Sequence, residues 1–193
     1  MDWSEKSVAV FFDKALSDCP NRLILNNLIL PGLHDVKQTT QVDTLVICSK
    51  GIFIVETKSW NGTVYGNDEE EDWIVYYGNG ERHRMYNPTW QNQGHLNRVK
   101  QLVWKKLLLD EKTIEYNPMV VFFRGDITHV QTKDCFDLMT ARSYISDFPN
   151  YLDDETIEEL KNLFTYYKEH PASTSYEHAR HVQEIKRERP DGR

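Results

Sequence analysis

Three charged side chains interrupt two apolar stretches of this chain. Asp43 lies within the run from Gln41 to Cys48, and Glu56 and Lys58 close the run from Ile52. Both runs read as strands, and strand side chains alternate between faces. Glu56 and Lys58 therefore share a face, with Thr57 opposite, and Asp43 shares a face with Leu45 and Ile47. Ser49-Lys50-Gly51 is a tight turn between the runs, so an antiparallel hairpin sets Asp43 roughly opposite Glu56 to Lys58. Two carboxylates about 4 Å apart repel by roughly 1 kcal/mol in water and about 4 kcal/mol at an effective dielectric near 20. A hard divalent cation offsets that repulsion: magnesium takes one or two carboxylates together with waters and substrate phosphate. A lysine beside it can orient an attacking water or neutralise charge developing on phosphorus. That combination suits phosphodiester hydrolysis. A plain Lys-Asp or Lys-Glu salt bridge accounts for the same spacing, and spacing alone leaves both readings open.

The elements that would position these residues follow from periodicity. Val8, Phe11, Phe12, Ala15 and Leu16 give a helix over residues 3–18, ended by Pro20. Strands are expected at 22–30, 41–48, 52–58, 63–65, 73–77 and 82–86. Asn87-Pro88 opens a long helix, with asparagine as N-cap and proline at the first helical position. Leu96, Val99, Leu102, Val103 and Leu107 form its apolar stripe to about residue 110. Further strands are expected at 118–123 and 136–139, and helices at 141–148 and 153–168. Beyond residue 173 the chain is polar, and a weak helix and disorder are equally open. The order predicts an α/β or α+β layered domain with a mixed central sheet flanked by helices.

Several other residues could meet a phosphate backbone. Gln91, His95 and Arg98 share one face of the long helix; that face either meets substrate or is simply solvated. Arg82 and Arg84 make a modest basic patch on a hairpin, and are candidates for nucleic-acid contact. Trp60, Trp73 and Trp90 could stack on bases, although packing is the simpler role. The run Asp68 to Asp72 reads as a solvated loop that repels a polyanion. It lacks the alternating ligands and central glycine of an EF-hand.

Composition limits the rest. The chain has 193 residues and a net charge of −7, which argues against holding nucleic acid by bulk electrostatics. No apolar run approaches the roughly 20 residues that span a bilayer. The first residues lack the layout of a secretion signal, so a cytoplasmic chain with reduced thiols at Cys19, Cys48 and Cys135 is expected. No Gly-x-Ser-x-Gly elbow, phosphate-cradling glycine loop or HExxH motif is present.

Taken together, Gln41-Val42-Asp43, Gly51 to Lys58, Trp60-x-Gly62-x-x-x-Gly66 and Asn87-Pro88-x-x-Gln91-Asn92-x-x-His95 closely resemble the nuclease-related domain family, NERD. That family is assigned to the PD-(D/E)xK, restriction-endonuclease-like superfamily. The resemblance covers residues 3–109. It implies a restriction-endonuclease-like core over residues 1–170, followed by a polar charged tail over 171–193. It implies a nuclease that uses Mg2+, with Mn2+ as an alternative, on nucleic acid, DNA ahead of RNA. Asp43, Glu56 and the backbone carbonyl of Thr57 would be metal ligands, and Lys58 the catalytic lysine. Glu5 would reach in from the first helix as a ligand or supporting acid, and Gln91 would face the site. A homodimer is open, because one such site cuts one strand. Two departures stand out: Glu5 follows Ser4 where the family usually has glycine, and Thr44 stands where histidine is common. A non-catalytic nucleic-acid-binding or adaptor domain on the same fold is the competing reading.

Overall fold

The computed structural model describes residues 3–32, 39–109 and 112–188. Helix α1 (Trp3–Ala15) leads into strands β1 (Leu23–Leu30), β2 (Thr40–Cys48) and β3 (Gly51–Lys58). Strands β4 (Thr63–Asn67), β5 (Asp72–Tyr76) and β6 (Arg82–Tyr86) precede the long helix α2 (Pro88–Leu107). Strands β7 (Tyr116–Phe122), β8 (Asp126–Gln131) and β9 (Cys135–Asp137) follow, then helices α3 (Leu138–Asp147), α4 (Asp154–Glu169) and α5 (Ser175–Glu188).

The main sheet runs β1-β2-β3-β7-β9. Its first three strands are antiparallel, while β7 joins β3, and β9 joins β7, in parallel. Alternation in β3 sorts its side chains between two cores. Ile52 and Ile54 pack with Leu96, Val99 and Val103 of α2 and with Leu160 and Phe164 of α4. Phe53 and Val55 pack with Phe12 of α1, Leu16 just after it and Ile145 of α3. Helices thus cover both faces, as near-continuous apolar strands require. Gly51 closes the β2–β3 hairpin with φ +123, where a Cβ would stand 2.5 Å from the Glu115 carbonyl oxygen.

The segment from Thr63 to Tyr86 does not extend the main sheet. It builds a second one, ordered β6-β5-β4-β8. The extra strand β8 was not expected from the sequence, because Asp126, Thr128, His129 and Gln131 dilute its apolar signal. One face of this sheet, carrying Val64, Trp73 and Val75, packs on Val120 and Phe122 of β7. The sequence also starts the third helix too late. Asp137 caps α3, accepting a 2.8 Å bond from the Thr140 N–H, so the helix begins at Leu138. Beyond Pro171 the chain forms α5.

Asn87 joins the two sheets' territories. Its side-chain oxygen accepts the Thr89 N–H at 2.9 Å, and its amide donates to the Asn67 and Glu70 carbonyls at 3.1 and 2.7 Å. It is fully buried. This one side chain starts α2 and ties that start to the β4–β5 turn. Asn87→Ala should lose the cap and take the side-chain donor from the Glu70 carbonyl, while the Asn67 carbonyl keeps its bond from Trp73 Nε1, costing about 1–2 kcal/mol in a urea unfolding experiment. A loss below about 0.5 kcal/mol would show that the tie carries little load.

Candidate active site

The β2–β3 ladder pairs Thr44 with Val55 and stops there. One residue further out, the Asp43 carboxylate takes over the role of a backbone carbonyl: its Oδ2 accepts the Thr57 N–H at 2.9 Å. The strands are thus held together at their open end by a side chain that carries charge. The alternation that the sequence implies fails at this point. Val42 packs in the same core as Leu45 and Ile47, and Leu28 and Leu30 in the same core as Leu23 and Leu25. Both flips centre on the facing residues Asn27 and Asp43, and Asn27 has φ +50. Asp43 therefore does not simply share the face of Leu45 and Ile47; the local twist turns it towards Thr57.

Glu56 and Lys58 face α2. Glu56 is 2% exposed, and its Oε1 lies 2.6 Å from Lys58 Nζ. A carboxylate so deeply enclosed costs several kcal/mol unless it is paired. Lys58 Nζ also donates to Gln91 Oε1 at 3.0 Å, and its charge stands 5.6 Å from the centre of the Trp60 ring. His95, one turn along α2, places Nδ1 3.4 Å from Glu56 Oε2. Burial pushes the His95 imidazole down to about 4, and the nearby Lys58 charge adds to the effect. At neutral pH the ring is uncharged.

Asn92 was not given a role from the sequence, and it sets the helix in place. Its amide donates to the Ile54 carbonyl at 2.9 Å and the Met119 carbonyl at 3.1 Å, bridging β3 and β7. The signal was present: Asn92 is in phase with Leu96, Val99 and Val103, so a polar residue falls on the apolar stripe.

The other expected contacts are distributed differently. His95 and Arg98 are each only 8% exposed, so these two side chains pack against the strand ends and do not form an open surface. Arg98 Nη2 donates instead to the Gly32 carbonyl at 3.2 Å. A helix face packed over polar strand ends has the same residue types as a solvated one, which is why the pattern misled. Trp73 is buried, Trp60 edges onto Phe122 beside Lys58, and Trp90 is tied through Nε1 to the Asp68 carbonyl at 2.8 Å. Arg82 and Arg84 are exposed on β6, in the second sheet, apart from the Lys58 cluster. Glu5 belongs to α1, but its side chain lies outside the described residues.

The donor set consists of hard oxygens: two carboxylates and the Thr57 carbonyl. Lys58 gives its carbonyl to β7 through Phe123, so the next residue back, Thr57, turns its N–H and C=O towards Asp43. Among the described residues no group of three or more His, Cys, Asp or Glu side chains is placed to hold a metal. Two carboxylates suffice for magnesium, which keeps several waters.

A mixed sheet covered by helices, with a second sheet beside it, is a nuclease-like α+β fold. The family model described as "nuclease-related domain" matches residues 2–123, and the chain belongs to that family, NERD. The uncharacterized protein pXO1-01 of Bacillus anthracis is 28% identical over 107 residues, which cover 54% of this chain and 49% of that protein. The chain therefore spans about half the length of that relative. Among solved structures, Pyrococcus furiosus SfsA in complex with Ca2+ aligns over 85% of this chain and 52% of its own, at 18% identity and a TM-score of 0.30. No described helix is long and apolar enough to cross a membrane.

The buried neutral His95 gives a pH signature. Its ordinary value is 6.5, so below that the unfolded chain takes up a proton that the native state refuses until about pH 4. Stability should therefore fall as pH drops from 6.5 towards 4, by on the order of 2 kcal/mol between pH 7.5 and 5. Denaturant unfolding of wild type and His95→Gln at both pH values checks this. Equal pH slopes in the two proteins would exclude a buried neutral imidazole.

Proposed function

We propose that the chain is a magnesium-dependent nuclease that hydrolyses phosphodiester bonds, with DNA ahead of RNA as substrate. The observation that supports it is the Glu56–Lys58 pair at the open end of the hairpin, faced by Gln91, with Asp43 bonded to the intervening Thr57 N–H. Asp43, Glu56 and the Thr57 carbonyl would hold the ion. Bound there, magnesium would polarise the phosphate and neutralise charge on the leaving oxygen.

The chain's own residues do the positioning. Asp43 fixes the Thr57 peptide through Oδ2. Lys58 has three donors. Glu56 and Gln91 accept two of them, which directs the ammonium and leaves its third N–H for a water or a phosphate oxygen. Glu56 balances the lysine charge and keeps it at the mouth of the site. Neutral His95 fills the space behind Glu56 without competing for it as a cation. The Trp60 ring covers one side of Lys58.

The test is cleavage of supercoiled plasmid, linear duplex, single-stranded DNA and RNA with magnesium, manganese or EDTA. Wild type should cut only with metal. Lys58→Ala should lose about 10²–10³-fold in rate, and Gln91→Ala about tenfold, as expected for a group that orients another. Thermal melting of each variant checks that it is folded. Wild-type rates from folded Lys58→Ala, or a folded wild type that cuts none of the substrates with either metal, would overturn the proposal.

A further inference from the structure

The outer face of the second sheet is open. Val64, Trp73 and Val75 point into the core, so their neighbours in β4 and β5 point out. The ladder sets His129, Tyr65, Ile74 and Arg84 side by side in one row across four strands. Neighbouring strands are about 4.8 Å apart, so the row spans roughly 14 Å. In the next row out, Tyr76 stands beside Arg82.

This surface is aromatic and pre-arranged. Tyr65 and His129 are stacked with ring centres 4.5 Å apart and planes at 6°, and Tyr76 meets Tyr65 edge-on at 5.4 Å. Tyr65 is 42% and Tyr76 43% exposed. Both rings thus keep a large part of their surface in water, on the two central strands of the sheet. Beside them a hollow of about 370 Å³ is lined by Ile74, Arg82, His83 and Arg84, within the size range of small-ligand pockets. Arg84 is only loosely opposed, by Asp72 at 4.0 Å. Asp72 and the acidic run before it lie at the far end of β5, away from the Tyr76–Arg82 row. The Tyr76–Arg82 end of the face thus holds the Arg82 guanidinium with two exposed carboxylates nearby, Asp126 in the same row and Glu81 beside His83.

We propose that this face binds single-stranded nucleic acid. Bases stack on Tyr65 and Tyr76, and Arg82 and Arg84 hold phosphates beside the hollow. Duplex is disfavoured, because its bases are already stacked on each other and cannot reach the rings. The proposal shares with the nuclease reading the premise that the ligand is nucleic acid, but it does not require cleavage.

The test is fluorescence anisotropy in EDTA, with the full chain and labelled oligothymidylate, oligouridylate and a duplex of matched length. Both single strands, or one of them, should bind more tightly than the duplex, and their ratio identifies DNA or RNA as the preferred source. Tyr65→Ala and Tyr76→Ala should each weaken single-strand binding roughly five- to a hundredfold, while Tyr65→Phe stays near wild type. Replacing Arg82 and Arg84 by alanine should lower the slope of log affinity against log salt by roughly 0.7 per arginine. Unchanged affinity in folded alanine variants, preference for duplex, or no single-strand binding at low salt would overturn the proposal. Tyrosine-dependent binding without metal-dependent cleavage would support this surface and count against the nuclease reading. Cleavage with unaltered KM in Tyr65→Ala and Tyr76→Ala would do the reverse.

Discussion

The site depends on one enclosed negative charge. Glu56 sits at the end of an apolar strand, where water cannot solvate it, and removing a carboxylate from water is expensive. Lys58, two residues on and on the same face, supplies the opposite charge at hydrogen-bond distance. The pair then needs walls that neither compete with it nor expose it. Gln91, His95 and Trp60 form those walls, and each is neutral at pH 7. A charged neighbour in any of these positions would unbalance the pair.

Two of those walls, Gln91 and His95, come from one helix, and the helix is indexed at two points. Asn87 fixes where α2 starts, and Asn92 fixes how it lies across β3 and β7. Both are asparagines whose amides reach backbone carbonyls, so main-chain bonds add to the packing of Leu96, Val99 and Val103 in setting the register of α2. That explains how Gln91, which lies between them, can be aimed at a lysine 33 residues earlier in the chain. The second sheet contributes to this alignment. Its β4–β5 turn provides both acceptors of the Asn87 amide.

Much of this was legible in the sequence, for physical reasons. The hairpin could be read because two apolar runs flank a tight turn, and charged residues inside apolar runs stand out. The start of α2 could be read because Asn-Pro is a local signal. The missing parts are those where the deciding interaction is not local. Strand β8 is half polar, since only one of its faces is buried. The membership of β4 to β6 in a separate sheet depends on which edge they meet, which composition does not encode. The flip at Asp43 depends on the positive φ of Asn27 in the neighbouring strand. The burial of His95 and Arg98 depends on where the helix ends up, since their spacing is the same on a wet face.

The family match ends at residue 123, one residue after β7 closes on β3. The later chain supplies core residues from α3 and α4 and an edge strand to each sheet. Strand β9 occupies the outer edge of β7, and β8 occupies the outer edge of β4. A protein cut at the family boundary would keep Asp43, Glu56, Lys58 and Gln91 while exposing two unpaired strand edges, both bordered by apolar residues. Such edges recruit other chains. The family-matched segment and the segment that closes both sheets are therefore different lengths of polypeptide.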